Sequence, residues 1–150
     1  MATIVRQIGT IARALDSIAN VEFKQHQLAR GQYLYLVRIA EHPGIIAEQL
    51  SKMLKVDRAT VSRAIAKLVQ CGLVDRQTAP DNQKVKHLYV TELGAQQAVF
   101  IQRENAYSEQ IARQGLSPTE SQQLTQLLAR VVENISADWD RVKAGEHRQY

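Results

Sequence analysis

A mainly α-helical fold with one small β-hairpin is predicted by three features of the sequence. Apolar residues recur at helical spacing over most of the chain, two runs of strand formers flank a polar turn between residues 73 and 90, and Gly or Pro punctuates the joins. Composition agrees. With 150 residues, 45% of them hydrophobic and 23% charged, the chain has the size and the apolar content of one domain, or of a domain with an appended module. Those fractions exclude disorder and collagen-like repetition. A single cysteine excludes an internal disulfide and any Cys-rich metal site, and it suits a reducing compartment. No apolar run approaches the ~20 residues that cross a bilayer, and Arg6, Arg13 and Asp16 break up any signal-like segment. The expected location is the cytoplasm, without membrane attachment.

The elements follow in order. Ile4, Ile8, Ile11, Leu15 and Ile18 are spaced four, three, four and three, a seam along a first helix running to Phe23. A break at residues 29–31 precedes a helix from Gln32 to Ala40, which His42-Pro43-Gly44 closes. Ile46, Ala47, Leu50 and Leu54 mark one face of a short helix, and Lys55-Val56 connect it tightly to Asp57. Asp57 is an N-cap for a helix that runs to Cys71 and stops at Gly72. Leu73–Thr78 and Val85–Val90 read as two strands, with residues 79–84 as the turn, and Thr91 caps a helix from Glu92 to about Arg113. Ser117-Pro118-Thr119-Glu120 is a capping box with proline at the first helical position. The helix it opens, to about Lys143, would be roughly 40 Å long. A helix-turn-helix followed at once by a hairpin is the winged helix-turn-helix arrangement, here between long N- and C-terminal helices. The expected division is a winged domain over 29–91 and a helical region formed by 1–28 and 92–150.

Charge singles out the winged part. Of the net +4, residues 51–91 hold eight basic and three acidic side chains, and the rest of the chain is close to neutral. A basic patch inside a neutral protein is the footprint of a nucleic-acid binder, although a solvated surface has the same composition. The Asp57–Cys71 helix discriminates between the two. Val61, Ile65 and Leu68 fall on its inner face with Ala64 beside them, while Ala59, Ser62, Arg63 and Ala66 lie opposite, flanked by Thr60 and Lys67. No acid occurs between Asp57 and Asp75. Small side chains let a helix settle into a major groove, where Ala meets a thymine methyl, Ser and Thr bond base edges or phosphates, and Arg pairs with guanine O6 and N7. Arg58 joins the set at the helix N-terminus, an end that favours phosphate. At the hairpin, Asn82, Gln83, Lys84 and Lys86 are placed to reach phosphates or the minor groove. Any hairpin tip is polar, so this second signal is less specific.

The run Ile46-Ala47, Leu50, Leu54, Val56-Asp57-Arg58-Ala59-Thr60-Val61-Ser62-Arg63, Leu68, Gly72-Leu73-Val74, Arg76 and Val90-Thr91-Glu92-Leu93-Gly94 resembles the MarR family of bacterial transcription regulators. The resemblance extends over essentially the whole chain. It implies a homodimer interlocked through the first and last two helices, with Thr60, Ser62 and Arg63 in the recognition helix and the hairpin as a wing. The family's wing commonly carries Asp-any-Arg, where this chain has Asn82-Gln83-Lys84. Lys84 keeps the cation without the planar fork of arginine, which weakens the expectation of bidentate or narrow-groove insertion there.

Two seams remain, Ile4, Ile8, Ile11 and Leu15 on the first helix and Leu124, Leu128, Val131, Ile135 and Trp139 on the last. They pack against each other within one chain or across a two-fold axis. The second arrangement makes a dimer whose recognition helices stand about 34 Å apart, matched to a palindromic operator in double-stranded DNA. The resemblance also implies a small aromatic or anionic effector, for which Tyr33, Tyr35 and Arg38 are candidate wall residues; core packing with a surface Arg is the other reading of these three. Cys71, beside Gly72, is expected to be a small buried residue. His26, His42, His87 and His147 lack metal-ligand spacing, and neither a phosphate loop nor an activated nucleophile is recognisable, so no cofactor, metal or enzymatic activity is expected. The expected function is a homodimeric, sequence-specific DNA-binding transcription regulator, a repressor whose affinity an effector lowers. A winged-helix protein–protein adaptor is the alternative.

Overall fold

A computed structural model describes residues 2–26, 28–29 and 31–150. Among the described residues, six helices and one hairpin follow one another as α1 (Ile4–Lys24), α2 (Gln32–Glu41), α3 (Ala47–Leu54), α4 (Arg58–Gln70), β1 (Val74–Ala79), β2 (Asn82–Val90), α5 (Glu92–Ala112) and α6 (Pro118–Lys143). The chain divides into two compact units, Met1–Ser108 and Glu109–Tyr150. Mainly helical structure with one antiparallel hairpin is what the sequence predicts.

Local chemistry accounts for the boundaries in the first unit. Thr3 caps α1, its hydroxyl accepting from Arg6 N. Gly31, at φ +83°, turns the chain into α2, and the Gln32 amide oxygen reaches back to accept from Ala29 N at 2.8 Å. The turn between α3 and α4 is only three residues long. Lys55 holds it in the left-handed region at φ +55°, and the buried Ser51 hydroxyl donates to Val56 O at 2.6 Å. After α4, Gly72 takes φ +72° while Leu73 N donates to Leu68 O at 2.9 Å, so the chain leaves the helix directly into β1.

The core of this unit sits between the helix-turn-helix, the base of the hairpin and the start of α5. Leu36 and Ile39 from α2, Leu50 from α3, Val61, Ile65 and Leu68 from α4, Leu88 from β2 and Ile101 from α5 are all buried. From α1, only Ala19 and Phe23 are buried; Phe23 meets Tyr33 at a tilt of 44° and Phe100 edge-on.

The hairpin differs from the expected one at its tip. Residues 79–84 do not form an open turn. Pro80 and Asp81 alone separate the strands, and β2 begins at Asn82. The register runs from Val74↔Val90 to Thr78↔Lys86 and then jumps to Ala79↔Asn82. Gln83, Lys84 and Val85 therefore bulge from β2, fastened where Lys84 N donates to Asn82 Oδ1 at 3.1 Å. The polar composition that reads as a turn is the composition of this bulge. The hairpin also acquires a partner that the sequence did not announce. Ile45 bridges Leu88, with Gly44 N donating to Leu88 O and Leu88 N to Ile45 O.

In the second unit, Ser117 caps α6 as expected. Glu120 N donates to Ser117 Oγ at 3.1 Å and Ser117 N donates to Glu120 Oε1 at 2.9 Å. Donation from Ser117, its backbone N–H first and its hydroxyl second, holds the Glu120 carboxyl below the usual glutamate range. No residue of α6 is buried. Among the described residues no helix is long and apolar enough to cross a membrane.

Candidate nucleic-acid interface

The site is built around α4, and its two faces separate cleanly. Val61, Ile65 and Leu68 are fully buried, whereas Arg58, Ala59, Ser62, Arg63, Ala66 and Lys67 are exposed and Thr60 is half-buried. The outer face is thus composed of small residues, hydroxyls and cations. Its N-terminus is capped by a cluster of side-chain hydrogen bonds. Asp57 Oδ1 accepts from Thr60 N at 3.0 Å, Thr60 Oγ1 donates to Asp57 Oδ2 at 2.9 Å, and Arg63 Nη2 donates to Thr60 Oγ1 at 3.1 Å. Arg58 Nη2 lies 2.8 Å from Glu48 Oε1 on α3, with Lys52 Nζ at 3.7 Å from the same oxygen. All three side chains are largely exposed, so solvent screens these pairs; they orient Arg58 more than they stabilise the fold.

Asn82, Gln83, Lys84 and Lys86 are all exposed on the hairpin. The base of the wing is anchored to the helix-turn-helix, for His87 Nδ1 donates to Gly44 O at 2.9 Å in addition to the Ile45–Leu88 bridge. One exposed cation absent from the expected set is Arg76 on β1. It lies two positions before Thr78, the register partner of Lys86, so Arg76 and Lys86 project from the same face of the hairpin. The period of two along a strand was the signal that could have found it.

The other candidates lie elsewhere. Tyr35 is buried in the core, and its phenol is pushed above its ordinary value by burial first and by the Asp57 carboxylate second. α2 packs against α4. Tyr33 donates to Asp16 Oδ1 at 2.7 Å, and Arg38 pairs with Glu41 at 2.9 Å. Cys71 is exposed, contrary to expectation. It occupies the C-cap of α4, past Leu68, the last buried residue of the helix, and after the exposed Gln70. On the seams, Ile4, Ile8, Ile11, Leu15, Leu124, Leu128 and Ile135 are exposed, while Val131 and Trp139 are half-buried.

Comparison with known proteins agrees with this architecture. The MarR family model matches residues 28–86. The uncharacterised HTH-type transcriptional regulator YybA of Bacillus subtilis is 49% identical over 150 residues, all of both chains. A Listeria monocytogenes regulator assigned to the MarR family, crystallised with a 26-mer DNA, is 50% identical, with a TM-score of 0.96 over the full length of both chains. A MarR protein from Peptoclostridium difficile is 35% identical, with a TM-score of 0.88 over 94% of this chain and 92% of that one. With a winged helix-turn-helix built on these elements and likeness along its whole length, the chain belongs to the MarR family of transcriptional regulators.

Proposed function

We propose that this regulator is a homodimer that binds a palindromic DNA operator through α4 and the wing, represses transcription in the cytoplasm, and is released by a small aromatic or anionic effector. The observation that carries the DNA-binding part is the outer face of α4. It offers Ala59, Ser62, Arg63, Ala66 and Lys67 to solvent, with no acid between Asp57 and Asp75. Such a face costs little to bring against phosphates and base edges. The DNA complex of the similar Listeria chain supports the same reading. Arg58, Lys84 and Lys86 serve as phosphate contacts, Asn82 and Gln83 line the groove edge, and Thr60 belongs to the reading helix.

The dimer is supported by apolar surface. Ile4 is 62% exposed, Ile11 57% and Ile135 51%. Side chains of this type at seam spacing gain from a partner, and a second copy is the partner that two-fold symmetry supplies. The effector reading draws on polar atoms left unsatisfied. Asn20 Oδ1 on α1, Arg38 Nε on α2 and Gln97 Oε1 on α5 are buried with no hydrogen-bond partner among the described residues. Among these three, Arg38 Nε is the donor that suits an anionic group, whereas the two amide oxygens only accept. Release follows if an effector favours a separation of the two winged halves that does not fit the operator.

Selection of bound fragments from random duplexes tests the proposal. A palindrome with half-sites about ten base pairs apart is the expected product, with an affinity that falls steeply with salt. Failure to retain any duplex in dilute buffer, or salt-independent capture of a protein instead, overturns it in favour of an adaptor.

A further inference from the structure

The first turn of α4 contains a hydrogen-bond relay of fixed direction. A carboxylate can only accept and a guanidinium can only donate, so the hydroxyl between them has a single arrangement. The one proton of Thr60 Oγ1 goes to Asp57 Oδ2 at 2.9 Å, and a lone pair receives Arg63 Nη2 at 3.1 Å. Donation to a charged acceptor polarises the hydroxyl and strengthens it as an acceptor for Arg63. Asp57 is itself held, because its other oxygen takes Thr60 N at 3.0 Å. Three residues that periodicity places along one edge of the helix are thereby joined into a unit.

We propose that Thr60 is a positioning residue for Arg63, and that guanine recognition by Arg63 depends on the Thr60 hydroxyl. This rests on the reading of α4 as the helix that meets base edges. A free arginine is long and adaptable; it finds a phosphate or any acceptor within reach and so adds affinity without discrimination. Tethered at one Nη2 hydrogen, the Arg63 guanidinium keeps four N–H donors in a plane of defined orientation, the geometry that O6 and N7 of guanine require. Ordering before contact also removes a cost of binding that would otherwise be paid for right and wrong bases alike. The Thr60 hydroxyl, engaged on both sides, acts through Arg63 rather than by its own contact to DNA.

The full chain is compared on its selected operator and on operators carrying single G·C to A·T changes. The variants are Thr60→Val, which keeps the branched shape and removes the hydroxyl, Thr60→Ser, which keeps the hydroxyl, Arg63→Ala, and the Thr60→Val/Arg63→Ala double variant. Thr60→Val is expected to lower discrimination at one guanine by about three- to tenfold, because a freed Arg63 still adds affinity on right and wrong duplexes alike. Thr60→Ser keeps the discrimination, and Thr60→Val has no further effect once Arg63 is Ala. An equal loss from Thr60→Val with and without Arg63 overturns the proposal, since Thr60 then touches DNA by itself; so does full discrimination in Thr60→Val. Should Arg63→Ala itself leave base preference intact, the reading of α4 fails and the relay falls with it. Arg63→Ala acting while Thr60→Val does not sinks the relay alone. Guanidinium NMR of the DNA-free protein gives an independent arm, with Thr60→Ala in place of Val should the first turn be perturbed. Restricted rotation of the Arg63 group in the wild type and free rotation in the variant are expected, and equal rotation in both overturns the relay.

Discussion

At the scale of single residues, the proposed interface divides between groups that read and groups that attract. Arg63 stands on the exposed outer face of α4, whereas Lys84 lies in a bulge of β2, on a flexible stem without a planar fork. Arg63→Ala is therefore expected to cost about 1–3 kcal/mol on the operator and to relax preference at one base position. Lys84→Ala is expected to weaken every duplex alike and to reduce the slope of log affinity against log salt by about one. Anisotropy titrations at several salt concentrations measure both. Equal, sequence-blind losses would contradict the division. The identity of these side chains was legible in the sequence because helical periodicity alone assigns Val61, Ile65 and Leu68 inward and Arg63 outward. The Thr60–Arg63 bond was not. It depends on which rotamer a long side chain adopts, and spacing cannot supply that.

Elements are fixed by their ends, and the junction of α4, β1 and α5 is the tightest of these. Thr91 Oγ1 donates to Gly72 O at 2.6 Å, Thr91 N donates to Leu73 O at 3.0 Å, and Gly94 N donates to Thr91 Oγ1 at 3.0 Å. A Cβ at Gly94 would lie 2.0 Å from Leu73 O. Gly to Ala inside a helix ordinarily gains about 0.5–1 kcal/mol, but here a backbone carbonyl that already accepts a hydrogen bond would have to move. Gly94→Ala is expected to destabilise the protein by about 1–3 kcal/mol, read as a lower urea midpoint. At α6 the Glu120 carboxyl sits below its ordinary range, so its contribution is present above the unfolded glutamate value and is lost as pH falls through the lower, folded one. The wild type is accordingly expected to be more stable than Glu120→Gln near neutrality and to converge with it in acid, by chemical denaturation across a pH series. Caps such as Asp57 and Ser117 were legible because they are local, three residues reaching one another. The tip of the hairpin was misread because bulges and turns draw on the same polar residues, and only pairing with β1 tells them apart. The Ile45–Leu88 bridge joins residues 43 positions apart, and no local pattern encodes it. Cys71 was misread for a related reason: the hydrophobic tendency of a thiol is weaker than the geometry of a helix C-cap.

For the whole molecule, the decisive quantity is apolar surface that one chain leaves uncovered. Along α1, Ile4, Ile8, Ile11, Leu15 and Ile18 are exposed at the spacing of a seam, and along α6 Leu124, Leu128 and Ile135 are likewise exposed. Burying a single aliphatic side chain is worth about 1.5–3 kcal/mol, so several of them outweigh the cost of association if a second copy covers them. The same side chains contribute less to the fold of the monomer than core residues do, because much of their surface stays in water. That separation makes the dimer testable without unfolding the chain. Ile11→Glu, or Leu128→Glu on the other seam, is expected to leave the circular dichroism of the helices intact while converting the species seen by light scattering from twice the chain mass to the chain mass. DNA binding should respond in a particular way. With two α4 helices joined, the second half-site is engaged at a high effective concentration; with one helix, that advantage disappears and affinity for the palindrome falls toward affinity for a half-site, by about 10²-fold or more. Affinity for a single half-site should stay as it was, since neither Ile11 nor Leu128 belongs to the core in which α4 is seated. A wild-type monomer at micromolar concentration, or a charged seam variant that remains dimeric and binds the palindrome as before, would show that these faces are covered by something other than a second copy.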